Sequence, residues 1–132
     1  MAETDKHMAL VEKIKNIVLN RENIESAFLY VDTPNSLSNY PPNIGVRPDL
    51  YYNYENQLII GEAKTKNDIM NDHTKGQLET YIAACSNYKG DSCLYFGVPW
   101  TEHSLANNLI VSLMKKMGVK IKYYIIDEMS EL

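Results

Sequence analysis

Two carboxylates and a primary amine, Asp49, Glu62 and Lys64, flank a tyrosine-rich apolar run in the stretch RPDLYYNYENQLIIGEAK, residues 47–64. Paired carboxylates suit a hard divalent cation such as Mg²⁺, which takes one or two of them together with a carbonyl and waters. A lysine beside such a pair can offset the charge that builds on a phosphoryl group under attack. That chemistry requires the three side chains to meet, and whether they meet depends on the strands that carry them.

Residues 49–54 and 57–64 alternate and cluster apolar side chains as two strands joined at Glu55–Asn56. With a two-residue turn there, Tyr54 faces Gln57, Tyr52 faces Ile59, and Asp49 falls opposite Glu62. Opposed residues have Cβ atoms about 4.5–5.5 Å apart, and Lys64, two residues beyond Glu62, shares its face. Like charges so placed repel and raise one carboxyl pKa unless a cation joins them. Glu-Asn is not among the favoured turn pairs, and a slip of one residue would send the two acids to opposite faces. For Lys64 the alternative role is a salt bridge to Glu62 or Asp49.

Around this hairpin the chain reads as an αβββαβαβ series. Met8, Leu10, Val11, Ile14, Ile17 and Val18 recur at helical spacing, with Asp5 as the expected cap. Residues 26–32 form a first strand, and residues 32–43, rich in Pro, Asn and Ser, a loop long enough to suggest function. A second helix over residues 74–88 takes Thr74 or Asp72 as cap. Then come a strand over 92–100, a third helix over 104–118 closed by Gly118, and a strand over 119–127. The expected class is α/β, a mixed central sheet flanked by helices, as one domain spanning residues 1–132.

The 132 residues carry a net charge of −4, so a broad basic surface is not expected and any polyanion must be bound locally. Arg47, Lys64, Lys66 and Lys75 surround the acids in sequence and could form a local positive rim. Ten tyrosines against two phenylalanines suit rings packed on a sheet with hydroxyls at its rim. Cys85 and Cys93 stand in apolar surroundings without a CxxC and read as reduced core thiols. With no signal peptide and no span-length apolar run, a cytoplasmic protein without membrane association is expected.

Pro48-Asp49 opening a strand, a hairpin, and Glu62-Ala63-Lys64 closing the next strand resemble the PD-(D/E)xK nuclease superfamily. Gln77 and Tyr81 on the following helix are similar to the QxxxY element of its RecB-like members. The resemblance covers residues 46–81 by motif and nearly the whole chain by element order, since αβββαβ is the family's restriction-endonuclease-like core. It implies a nuclease dependent on Mg²⁺ or Mn²⁺, with DNA as the expected substrate and a homodimer for duplex cleavage. Asp49, Glu62 and the carbonyl of Ala63 would be metal ligands, and Lys64 would orient or activate the attacking water. Gln77 would position water or phosphate, with Tyr81 supporting it and Lys66 and Arg47 contacting substrate; core packing is the alternative for Gln77 and Tyr81.

Many members of the superfamily add an acid from the first helix. Here Glu12 lies opposite the apolar stripe, while His7 and Val11 occupy the inward side, so no helix ligand is assigned. His73 reads as a solvated loop residue that could touch phosphate. Trp100 reads as a core-edge residue, with base stacking the alternative. Two further readings are a catalytically inactive PD-(D/E)xK-fold binding or assembly module and an RNA endonuclease.

Overall fold

The helical apolar pattern near the N-terminus forms helix α1, Ala2–Arg21, whose Leu10, Val11, Ile14, Ile17 and Val18 are all buried. The computed structural model describes residues 2–33 and 40–132, with side chains from residue 5 onward. Helix α1 begins before Asp5, which therefore lies within its early turns and is not the cap. Glu12 points to solvent and pairs with Lys15 at 3.2 Å.

After α1 a single 3-10 turn, Ser26–Phe28, precedes strand β1, Leu29–Val31, which is shorter than the expected 26–32. The loop that follows includes residues 34–39, which lie outside the described residues. Strands β2, Leu50–Tyr54, and β3, Gln57–Ala63, form the hairpin. Glu55 and Asn56 both have positive φ, 49° and 64°. That is the backbone of a type I′ turn, whose twist matches that of the flanking strands. Asn tolerates this conformation well; Glu does not favour it, so the flanking ladder holds it there. The turn fixes the register counted from the sequence, with Tyr54 opposite Gln57 through Leu50 opposite Gly61. Asp49 and Glu62 adjoin the last pair of that ladder, Leu50 and Gly61.

Helix α2, Asp72–Asn87, follows, then strand β4, Asp91–Gly97, helix α3, His103–Met117, and strand β5, Tyr123–Ile126. The cap of α2 is Asn71, whose side chain accepts from Thr74 N at 2.8 Å; neither Thr74 nor Asp72 has that role. Asp72 sits instead in the first turn, where the helix dipole favours an acid. Helix α3 ends at Gly118 in the left-handed conformation, as the sequence predicts.

The sheet order is β1-β2-β3-β4-β5. The first three strands pair antiparallel and the last three parallel, giving a mixed five-stranded sheet flanked by helices. Helix α1 covers one face, over Leu50, Tyr52, Ile59 and Tyr95. Helices α2 and α3 cover the other, over Leu58, Ile60, Leu94 and Phe96. Cys85 and Cys93 are free, buried thiols, and burial, foremost, pushes Cys85 up to about 11, so neither is a ready nucleophile. Among the described residues no helix is long and apolar enough to cross a membrane.

Two glycines set how closely α1 lies on the sheet. A Cβ on Gly97 would come within 2.8 Å of Ile14 Cδ1, and one on Gly61 within 3.1 Å of Ile14 Cγ2 and 3.0 Å of Leu50 Cβ. Ile14 therefore rests in a notch that only glycine leaves open. Seven residues before it, about 10 Å along the axis at 1.5 Å per residue, the helix reaches the end of the sheet where Asp49 and Glu62 stand.

Candidate metal centre

The ladder that pairs Leu50 with Gly61 brings the two acids together where β2 begins and β3 ends. Asp49 and Glu62 are both buried, at 8 % and 3 % exposure, which isolated carboxylates do not tolerate without partners. Their partners come from both helical layers. From α1, His7 Nε2 lies 3.1 Å from Asp49 Oδ2. From α2, the Tyr81 hydroxyl donates to Glu62 Oε1 at 2.6 Å. The Ala63 N–H donates to Asp49 Oδ2 at 2.9 Å, and Lys64 Nζ stands 3.7 Å from Glu62 Oε2. Asp49 also anchors the strand edge, its carbonyl accepting from Asp32 N at 2.8 Å.

One ligand atom each from His7, Asp49 and Glu62 falls within a 4.8 Å span. These are two carboxylate oxygens and an imidazole nitrogen, a donor set that hard and borderline divalent ions accept. The electrostatics fit the same description. Burial, then the charge of Asp49, pushes Glu62 well above the ordinary carboxylate range. Burial also acts to raise Asp49, but the His7 hydrogen bond and the Ala63 N–H outweigh it and leave Asp49 below its usual value. The hydrogen bond to Asp49 raises His7 against the opposing effect of its burial. Two adjacent carboxyls are thus driven apart, one held ionised and the other clinging to a proton, as happens when like charges share a dry site without a cation between them.

Gln77 lies one helical turn before Tyr81, so both fall on the same face of α2. Its Oε1 is buried and accepts no hydrogen bond, the one such side-chain atom among the described residues. An orphan acceptor of this kind calls for a water or a ligand. Tyr81 is fully buried with its hydroxyl committed to Glu62, so its ring stands behind the carboxylate.

Asp49, Glu62, Lys64, Ala63 and Tyr81 therefore meet in one place, joined by His7. Ala63 touches the site through its N–H. Arg47 is exposed, with its guanidinium 5.7 Å from the centre of the Tyr40 ring. Lys66 is exposed and lines a neighbouring cleft with Trp100. His73 is exposed at the start of α2. Trp100 is 60 % exposed and is not a core-edge residue: β4 stops at Gly97, and the chain turns outward through a 3-10 turn, Trp100–Glu102.

The residue that sequence reasoning passed over is His7. Its inward phase on α1 is the signal the sequence carries, whereas the family pattern of a helix acid points to Glu12. No protein-family model, no curated protein and no solved structure matches the chain.

Proposed function

We propose that this protein is a metal-dependent phosphodiester hydrolase of the PD-(D/E)xK nuclease superfamily, with a restriction-endonuclease-like core and DNA as its substrate. The observation that carries the reading is the convergence of His7, Asp49 and Glu62 within 4.8 Å, with Lys64 Nζ 3.7 Å from Glu62. The αβββαβ order of the elements, with Glu62 on β3 and Asp49 directly before its antiparallel neighbour β2, supports the same assignment.

In this reading Asp49, Glu62 and His7 hold one Mg²⁺ or Mn²⁺, and by the family resemblance the Ala63 carbonyl joins them. A bound ion of this kind lowers the pKa of water and neutralises phosphate charge. The chain's own residues do the rest. Tyr81 fixes the rotamer of Glu62, and the Ala63 N–H fixes Asp49, so both carboxylates are oriented before any ion arrives. Lys64 is ion-paired with Glu62 at 3.7 Å, the alternative role its position allowed, and because that separation is beyond direct hydrogen-bonding distance its N–H donors can still face a phosphoryl oxygen or the attacking water. Its positive charge offsets the negative charge growing on the phosphoryl oxygens as the water attacks. Gln77 Oε1, buried and unpaired, is an acceptor able to hold a proton of that water. Lys66 and Arg47, both exposed near the site in sequence, supply phosphate contacts along the strand.

The test is incubation of purified protein with linear, circular, branched and single-stranded DNA, and with RNA, each with Mn²⁺, Mg²⁺ or chelator. Cleavage of DNA that requires either ion is the expected result. Cleavage of RNA alone would reassign the substrate. No cleavage of any substrate would leave the fold as a binding module whose buried acids serve structure.

A further inference from the structure

A second feature shares only Lys66 with the proposed chemistry. A cleft of about 320 Å³ opens between the first turns of α1, the exit of β3 and the turn after β4. Its lining includes the apolar Ala9, Leu10 and Pro99 and the largely exposed Trp100. The exposed Lys6 and Lys66 also line it, with a single acid, Glu128, one of whose carboxylate oxygens accepts from the Trp100 N–H. Two residues of its lining are sequence neighbours of residues in the candidate site. Lys6 precedes His7, while Thr65 and Lys66 follow Lys64 directly.

An exposed tryptophan is costly in water, and this one is held in place: its backbone N–H is bonded to Glu128 and it opens a defined 3-10 turn. An exposed indole, apolar neighbours and two exposed lysines in one lining suit a nucleobase with adjoining phosphates. The volume sits at the low end for ligand clefts, about 300–1,000 Å³, and suits one base with its sugar. A paired base inside a duplex has both faces stacked on neighbours and cannot offer one to Trp100.

We propose that this cleft is the subsite for one unpaired nucleobase of the substrate strand, stacked on Trp100, with its flanking phosphates on Lys6 and Lys66. The proposal rests on the nuclease reading for the identity of the strand, and it makes a single-stranded or locally opened segment the preferred substrate.

Trp100 is the only tryptophan in the chain, so its emission reports the cleft directly. The 132-residue chain is titrated with single-stranded deoxy- and ribo-oligonucleotides and with covalently closed circular duplex DNA at equal nucleotide concentration, in chelator and again in Ca²⁺. Saturable quenching by single strands, with duplex binding more weakly, is expected; the two oligonucleotide series show whether the sugar matters. Binding is followed in parallel by anisotropy of a labelled oligonucleotide. Trp100→Ala should weaken single-strand binding roughly 5- to 150-fold, the range that corresponds to loss of one base–aromatic stack, while Trp100→Phe retains most of it. Because the side chain is largely exposed and the bond to Glu128 uses the backbone, both variants should keep the wild-type thermal midpoint. Unchanged emission in both conditions, or Trp100→Ala binding like wild type, overturns the subsite even if the protein cleaves DNA. Quenching by single strands without any cleavage supports the subsite and contradicts the catalytic reading. Equal quenching by closed duplex overturns the unpaired-base assignment.

Discussion

His7 Nε2 and Asp49 Oδ2 lie 3.1 Å apart, joining the start of helix α1 to the start of strand β2 across 42 residues of chain. The contact makes the candidate site a property of two layers of the fold. Asp49 and Glu62 are delivered by a hairpin, whereas His7 is delivered by a helix that must lie on the sheet at one height and one position. It follows that His7→Ala should weaken divalent-ion binding without unfolding the domain. The loss should be at least the roughly 10- to 100-fold typical of losing a supporting group around a metal, and larger for Mn²⁺ than for Mg²⁺, since imidazole is the softer ligand. Isothermal titration of each ion into wild type and variant measures it.

Protonation should oppose the ion. Glu62 and His7 both have raised pKa values, and both must lose their protons to act as ligands. Metal affinity should therefore rise with pH through the neutral range, with proton release visible as a dependence of binding enthalpy on the buffer. Without metal the sign reverses for stability. A group with a raised folded pKa stabilises the protein below its unfolded value, 4.5 for Glu62 and 6.5 for His7, and that stability is lost as pH rises through the raised value. The depressed Asp49 acts at the other end: its contribution is present above 3.8 and lost as pH falls through its lowered value. Thermal melts in chelator should show stability declining as pH rises above 4.5 through the raised Glu62 value and above 6.5 through the raised His7 value, with the Glu62 part absent in Glu62→Gln.

Tyr81→Phe isolates one part of that balance. The Tyr81 hydrogen bond opposes the rise in the Glu62 pKa, so its removal should push Glu62 further up. Metal binding at neutral pH should weaken and recover on raising the pH. A variant whose binding is weakened equally at every pH would place Tyr81 outside this role.

The seat of α1 can be tested at Gly97. A Cβ there would approach Ile14 Cδ1 to 2.8 Å, so Gly97→Ala should cost about 1–3 kcal/mol, the usual scale of overpacking. It should also weaken metal binding by lifting His7 from Asp49. Ile14→Val removes the clashing methyl and by itself should cost about 0.5–1.5 kcal/mol. The double variant should be more stable than the sum of the two losses allows, as denaturant melts of all four proteins would show.

Much of this site was legible in the sequence. The count across Glu55–Asn56 gave the register of β2 and β3, because side-chain period and turn length leave little freedom once a hairpin forms. Hence the meeting of Asp49, Glu62 and Lys64 could be read in advance, and so could the outward direction of Glu12. His7 could not be assigned in the same way. Helical phase showed that it faced inward, but how far the helix runs over the sheet depends on Ile14 seating against Gly61 and Gly97, a contact between distant segments. Trp100 departs from its expected place for a related reason. The apolar run from Cys93 to Trp100 reads as one strand, yet the ladder with β3 ends at Ala63–Gly97 and the chain then leaves the sheet. The cap of α2 at Asn71 was missed because three neighbouring residues could each serve, and only the backbone decides among them.

The most direct test of the central claim is to measure Mn²⁺ binding and DNA cleavage together for wild type and Lys64→Ala in parallel preparations. Lys64 is assigned no metal bond, so the variant should bind Mn²⁺ as tightly as wild type while cleaving roughly a hundredfold or more slowly, the scale of losing one group that stabilises transition-state charge. Lys64→Arg should restore little, because guanidinium is planar, bulkier and unable to give up a proton. Gln77→Ala should slow cleavage by a smaller factor. Cleavage by Lys64→Ala at the wild-type rate, or wild-type protein that binds the ion yet cuts no nucleic acid, would contradict the account.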